Sequence, residues 1–380
     1  MKNILIFIAA FAAYTSLASA NQDWNTLTDK YNLKKSGQTF CTKGALGHLQ
    51  LNGRKRVRPA SISKLFTTLW AIEKLNKDYK FKTNFYIDDN KTLYVLGSKD
   101  PFFVTESILY VLDRILNDSI NIKKIVFDKN FYFNWKSEPE DVLNKLKSYF
   151  VIRSKDKEVK KVQKLFNERG FDIKISEILN SIESIQFQSK INTKYLQKVF
   201  TFNSHPLYKI IKQMNKYSNN FIADIIFNNL GGEKAFNIYL NKKLNISNKT
   251  TYLYTGSGLG DNYTTCFDTI RVLEELINQV NKQSIHPYDI IAVPTSDNGT
   301  LKNRLSHFEK SMVAKTGTLN GTVTLGGLVF TDKGYQFFTL FNEINFLSKG
   351  RSFQDEFLNN YFLSTSHFDY EEEDYFPVVL

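Results

Sequence analysis

RPASISKLFTTLWAIEKL, residues 58–75, joins a proline and small-residue step to a serine and a lysine three positions apart, then to an apolar stripe. Leu65, Leu69, Ile72 and Leu75 recur at helical spacing, so the segment predicts a buried helix. Three positions is close to one helical turn, which puts the Ser61 hydroxyl and the Lys64 amine on one face where that helix begins. A serine in that place has an ordinary use as a helix cap. Beside a lysine it has a second use. A hydroxyl is a poor nucleophile until a base within hydrogen-bond reach takes its proton. Lysine is that base only where a desolvated pocket or a neighbouring cation keeps it neutral.

Two more strings extend this chemistry: Ser218-Asn219-Asn220, and Lys315-Thr316-Gly317 on the strand-like run SMVAKTGTL. Ser218 is small enough to relay a proton, and Asn220 offers donor and acceptor to a substrate amide. Lys315 supplies a cation beside Lys64 or holds a substrate carboxylate. The backbone N–H groups of Ser61 and Thr318 suit an oxyanion hole. Each string alone is weak. Ser-Asn-Asn is common in turns, and a strand lysine is common at surfaces. Their order, with the first opening a helix and the third on a strand before a glycine-rich hairpin, is the trio of penicillin-recognising serine enzymes.

The 380 residues suffice for two domains. Lys2, the apolar run Ile4–Tyr14 and Ala18-Ser19-Ala20 read as a secretory signal cleaved after Ala20, with an uncleaved anchor as the alternative. Its loss lowers the net charge from +12 to +11. In an exported, periplasmic protein that balance suits an anionic envelope surface, or no specific partner, and not nucleic acid. Cys41 and Cys266 lie far apart and have no metal-ligand or redox spacing; an exported compartment permits a disulfide between them, as the lesser of the two readings, and the sequence leaves open whether they are bridged.

After the helix, FKTNFYIDDNKTLYVL reads as two strands about an Asp-Asp-Asn-Lys turn. Helices near 105–117 and 139–149 flank a strand near 122–127, and 155–166 reads as a charged amphipathic helix. One or two helices lie within 207–230 and another within 265–280. Three strands then run through SMVAKTGTL, TVTLGGLVF and YQFFTLFNE. The expected organisation is a signal peptide (1–20) and a catalytic domain (21–80 with 201–365). An inserted mixed α/β domain (81–200) splits the latter, and a frayed acidic tail (366–380) ends the chain.

The chain also resembles the penicillin-binding protein 4 type of D-alanyl-D-alanine carboxypeptidase/endopeptidase, the low-molecular-mass class C penicillin-binding proteins. RPASISK resembles the family's Pro-Ala-Ser-x-x-Lys motif, VLGSKDPFF (95–103) its Gly-Gly-x-Asp-Pro loop, and SHPLYKIIKQMNKYSNNFIADII (204–226) its Ser-x-Asn helix. NGTLKNRLSHFEKSMVAKTGTLNGTVTLGGLVF (298–330) is similar almost throughout. YTGSGLGDNYTT (254–265) departs from the pattern, with Thr255 for Asp and Gly260 for Ser, which puts that loop's role in question.

The resemblance implies an α/β (α+β) fold of the transpeptidase/β-lactamase type, with an antiparallel sheet flanked by helices. It implies that Ser61 is acylated, Lys64 is the base, and Ser218 and Asn220 form the second motif. Lys315, Thr316, Gly317 and Thr318 become the carboxylate-binding strand, peptidoglycan stem peptides the substrate, and β-lactams covalent inhibitors.

No cofactor or metal is expected. His48, His205, His286, His307 and His367 form no HExxH or close pair. Gly256–Gly260 lacks the full dinucleotide fingerprint, and no carboxylate pair suggests a glycosidase. Two alternatives share the scaffold. A β-lactamase needs a deacylating carboxylate that is not evident here, and a non-catalytic wall-binding protein would have no reason to keep both Ser61 and Lys64.

Overall fold

A computed structural model describes residues 22–151 and 156–378; the expected signal sequence falls outside them. The chain opens with α1 (22–30), the hairpin of β1 (Gln38–Gly44) and β2 (Gly47–Leu51), the short β3 (Arg56–Val57), and α2 (Ser63–Leu75). Next come β4 (Lys82–Ile87), β5 (Thr92–Leu96), α3 (Thr105–Asn117), β6 (Lys124–Phe127) and α4 (Pro139–Phe150). They lead to α5 (Asp156–Asn167), α6 (Ile175–Ser181), β7 (Ser184–Phe187) and β8 (Gln197–Asn203). Then follow α7 (Leu207–Lys216), α8 (Asn220–Asn229), α9 (Gly232–Leu244), β9 (Thr264–Thr265) and α10 (Cys266–Lys282). The last elements are β10 (Met312–Leu319), β11 (Thr322–Thr331), β12 (Gly334–Glu343) and α11 (Leu347–Tyr361).

These elements form two compact units, one of the residues up to Lys77 with Ile211–Glu373, the other of Asp78–Ile210 with Asp374 onward. In the first unit the sheet order is β10-β11-β12-β1-β2, antiparallel throughout. Both faces of its central strands are covered, since β11 and β12 are buried almost end to end. Period-two alternation sorts the side chains between the faces. Phe40 meets an aromatic cluster of Trp24, Phe353 and Phe357 from α1 and α11. Cys41, the next residue, joins Cys266 at the start of α10 in a disulfide, with Cα atoms 5.7 Å apart. The bridge closes a separation of 225 residues that no sequence spacing advertises.

Helix α2 is buried nearly all round. Leu65, Phe66, Leu69, Trp70 and Ile72 are inside, and so are Ser63, Lys64, Thr67 and Thr68. A helix without a solvent face belongs in a core, which is what takes Lys64 out of water.

The second unit holds a mixed sheet, β7-β6-β5-β4-β8, parallel through β5, β6 and β7 and antiparallel at β4. The charged helix expected near 155–166 is α5, which places Val162 and Phe166 in this unit's core and leaves Lys160, Lys161 and Lys164 exposed. The unit is wider than the expected 81–200. β8 continues to Asn203 in register with Lys82 of β4, and Val378 of the tail is part of the core. The tail is therefore not frayed. Tyr370 is buried, Glu372 pairs with Lys216, and Asp374 pairs with Arg169.

Candidate active site

Ser61 does not cap a helix. It lies in a 3-10 turn, Ala60–Ile62, that leads into α2, whose N-cap is Ile62 with no side-chain cap bond. Ala60 before it has φ +49, a left-handed conformation that costs a non-glycine residue energy and recurs at functional turns. Two contacts hold that turn. The Thr324 hydroxyl donates to the Pro59 carbonyl at 3.0 Å. Gly258 approaches so closely that an added Cβ would lie 1.8 Å from the Ala60 oxygen.

Lys64 is the centre of the site. Its Nζ lies 2.9 Å from Ser61 Oγ, 2.7 Å from Asn220 Oδ1 and 2.9 Å from the Ser257 carbonyl oxygen. The side chain is 0% exposed, and burial lowers its pKa from the ordinary 10.5 to about 7, against the opposing charge of Asp224. The two carbonyl oxygens can only accept, so each requires an N–H from Lys64. A neutral amine has two N–H bonds and one lone pair. With both N–H bonds committed to Asn220 and Ser257, the lone pair is left facing the Ser61 hydroxyl.

The chain break between α7 and α8 supplies Asn220. Ser218 has φ +56, turning the backbone sharply, and the Asn219 side chain caps α8 by accepting from Ile222 N at 3.0 Å. The ordinary turn-and-cap use of Ser-Asn-Asn and its placement of Asn220 on Lys64 are thus both realised. Ser218 itself makes no side-chain hydrogen bond among the described residues; its contribution here is the turn.

Strand β10 forms the other wall. Lys315 is 0% exposed and donates to the Thr316 carbonyl at 2.8 Å. Burial, and then the Lys64 charge, hold its pKa well below the usual lysine range. Burial, not Lys315, is the main cause of the shift at Lys64. Gly317 is needed for closeness: an added Cβ would lie 2.1 Å from Thr324 Oγ1 and 2.9 Å from Ser61 N. Thr316 donates to the Thr300 hydroxyl at 3.0 Å, and the exposed Thr318 accepts from Arg351 at 3.3 Å.

Several residues escaped the sequence reading. Asp224 lies one helical turn after Asn220 and accepts from Ser257 N at 2.8 Å, so it aims the Ser257 carbonyl at Lys64. Its own pKa is raised, chiefly by burial. Asn262 clamps the same loop, with Oδ1 accepting from Tyr254 N and Thr255 N while Nδ2 donates to Ser63 Oγ and the Thr255 carbonyl. At the departure from the family pattern, the Thr255 hydroxyl donates to Leu259 O and accepts from Gly258 N, closing the turn without a carboxylate.

A serine with a desolvated lysine one turn away, an asparagine from a second helix and a Lys-Thr-Gly edge strand define a serine acyl-transfer enzyme of the penicillin-recognising class. The chain belongs to the D-Ala-D-Ala carboxypeptidase 3 (S13) family, whose model matches residues 44–151 and 181–359, and it is a serine DD-peptidase.

Among solved structures it is similar to Bd3459, a predatory peptidoglycan endopeptidase from Bdellovibrio bacteriovorus. The two share 25% identity over 90% of this chain and 96% of that one, with a TM-score of 0.78. Bd3459 is also known acylated by penicillin G and bound to an immunity protein. A second Bdellovibrio bacteriovorus predatory endopeptidase, Bd0816, shares 26% identity over 90% and 97% of the two chains, with a TM-score of 0.77. Penicillin binding protein 4 of Haemophilus influenzae shares 17% identity over 89% and 98%, with a TM-score of 0.64, a likeness of fold. No curated protein matches the sequence.

Proposed function

We propose that Ser61 attacks the carbonyl of a D-Ala–D-Ala bond in peptidoglycan stem peptides, and that the enzyme cleaves D-Ala cross-links as well as terminal D-Ala. The Ser61 proton passes to Lys64 Nζ as the Oγ–C bond forms. The C–N bond then breaks, the leaving amine takes that proton, and water releases the acyl group from Ser61. The observation that carries this reading is the Lys64 amine, with both its N–H bonds on carbonyl oxygens and Ser61 Oγ at 2.9 Å.

With its Oδ1 on Lys64, Asn220 keeps Nδ2 for a substrate oxygen. Ser218 relays the proton to the leaving amine after substrate enters, and Lys315, Thr316, Gly317 and Thr318 receive the peptide along β10. The N–H groups of Ser61 and Thr318 hold the developing oxyanion, and the close approach of Gly317 to Ser61 supports that placement. The protein is exported to the periplasm, with cleavage after Ala20, and its basic surface favours the anionic envelope. The endopeptidase activity and penicillin acylation of Bd3459 support the extension to cross-links and to β-lactams.

Penicillin G tests the assignment. It should add to Ser61 by peptide mapping, release slowly, and fail to label Ser61→Ala. An adduct elsewhere overturns the mechanism, and rapid release indicates a β-lactamase. Incubation with cross-linked and uncross-linked muropeptides should yield cleavage of both, read by product mass.

A further inference from the structure

The inserted unit carries a turn whose sequence fits its shape badly. Phe133 and Lys136 exchange both backbone hydrogen bonds at 3.0 Å, so Asn134 and Trp135 form a two-residue hairpin tip. Both have positive φ, +46 at Asn134 and +64 at Trp135. That pairing belongs to the turn that Asn-Gly forms most readily. Asparagine stands in its favoured place, but an indole stands where glycine is expected. For a bulky side chain such a conformation is an outlier, and outliers of this kind gather at functional sites.

The turn is fastened to its neighbours. Asn134 N donates to the Phe103 carbonyl at 3.1 Å, its Oδ1 accepts from Thr105 N at 3.1 Å, and its Nδ2 donates to Thr105 Oγ1 at 2.7 Å. Trp135 is held out at the surface, 40% exposed, whereas Trp24 and Trp70 are 4% and 2% exposed. The Phe102 ring meets the indole at a right angle, with centroids 5.1 Å apart.

Trp135 and Phe102 line a cleft of about 410 Å³, together with Tyr149 and three charged residues, Glu106 of α3, Lys145 of α4 and Lys161 of α5. Lys145 Nζ lies over the Tyr149 ring, 5.2 Å from its centroid. Glu106 is partly buried, and burial raises its pKa against the charges of Lys161 and Arg169. Aromatic faces beside a few convergent polar groups are the make-up of a small-ligand site. A lipid tail would not need the three charges. A simple anion would not need the indole, and Glu106 would repel it. A pyranose uses both, because its C–H face packs on an aromatic ring while its edge carries hydroxyls and, in an amino sugar, an amide.

We infer that this cleft binds the amino-sugar strand of peptidoglycan. Trp135 is the stacking platform, and Glu106, Lys145 and Lys161 hydrogen-bond the sugar edge. The inserted unit then grips the glycan while the catalytic unit cuts the peptide. The choice of polymer rests on the peptidoglycan reading; the sugar chemistry rests on the cleft alone.

The test uses the full chain and chitotetraose, an N-acetylglucosamine oligomer that carries no stem peptide. Because the other two tryptophans are buried, a change in intrinsic fluorescence during titration reports on Trp135. Wild-type protein should show a saturable change with chitotetraose and none with a soluble peptide ending in D-Ala-D-Ala. Trp135→Gly suits the backbone conformation, so the fold should hold. Its calorimetric affinity for chitotetraose should fall about 10-fold or more. The same variant should keep kcat/KM for the soluble peptide within about twofold of wild type and cleave insoluble peptidoglycan more slowly. Unchanged wild-type fluorescence, a Trp135→Gly protein that binds chitotetraose like wild type, or a response to the peptide instead of the sugar overturns the glycan site. A wild-type protein that binds chitotetraose but cleaves no D-Ala-D-Ala peptide supports the glycan site and overturns the proposed function.

Discussion

Lys64 and Lys212 are both buried in the catalytic unit, and burial pulls down the pKa of each. What meets the ammonium differs. Lys212 Nζ donates to the Tyr288 and Ile291 carbonyls and, at 2.6 Å, to the carboxylate of Asp297. Asp297 in turn accepts from Val293 N and the Tyr370 hydroxyl, so charge, countercharge and donors close on themselves. Lys64 has two carbonyl oxygens and a hydroxyl but no carboxylate in contact, because Asp224 is turned onto Ser257. The first arrangement keeps a lysine charged and holds structure. The second leaves a lysine poised to lose its proton. Desolvation is common to both, and the position of one carboxylate separates scaffold from reagent.

Replacing each lysine by methionine sharpens that contrast. Lys64→Met should cut acylation about 10²- to 10⁴-fold, the share of a general base, while the melting temperature holds or rises. Lys212→Met should instead destabilise by about 3–5 kcal/mol, because it strands the Asp297 charge in the core. Adding Asp297→Leu to Lys212→Met should recover part of that loss. Chemical denaturation together with penicillin labelling decides the matter. Equal destabilisation by both lysine changes would erase the distinction between the two sites.

The pH dependence carries the next largest effect. With Lys64 as the proposed base, which acts only when neutral, the acylation rate should fall as pH drops through about 7, the value to which burial brings Lys64. The Asp224 charge raises that value, so Asp224→Asn should move the acid limb to lower pH. A purely structural role for Asp224 would lower the rate and leave the midpoint alone. Stability follows with a fixed sign. Between about 7 and 10.5 the unfolded chain holds a proton that folded Lys64 has released. Wild-type stability should therefore rise with pH relative to Lys64→Met across that window.

Much of this site is legible in the sequence, because its chemistry needs particular residue types at fixed offsets. Ser61, Lys64, Asn220 and the Lys315–Thr318 strand belong to that class, and helices such as α3 and strands such as β11 declare themselves by period. Other parts depend on contacts that no local pattern encodes. The Ser257 contact to Lys64 is a backbone carbonyl, so no residue type marks it. Asp224 is one of 38 acidic residues and gains meaning only when the 256–258 loop packs on α8. Cys41 meets Cys266 through strand alternation and the docking of α10. Helix α9 escaped notice because its apolar residues face different ways, with Phe236 buried and Ile238 half exposed. The acidic tail looks like a solvated terminus until Asp297 and Lys216 are there to receive it.

That tail bears on how far the Lys212 site extends. Tyr370 donates to Asp297 Oδ1, and Glu372, two residues on, pairs with Lys216 one turn along α7 from Lys212. The first contact is buried and the second is partly wet, with the Glu372 side chain 28% exposed. Tyr370→Phe removes a donor from a buried carboxylate oxygen and should cost about 1–3 kcal/mol. Glu372→Gln weakens an ion pair that water partly screens and should cost about 0.5–1 kcal/mol, with the difference from wild type shrinking at high salt. Acylation should stay within about twofold of wild type in Glu372→Gln, since the Lys212–Asp297 pair that anchors α7 is untouched and the change lies below the scale of a typical mutational effect. If Glu372→Gln instead cost as much as Lys212→Met, the tail would belong to the core of the catalytic unit, and the buried pair alone would no longer explain its stability.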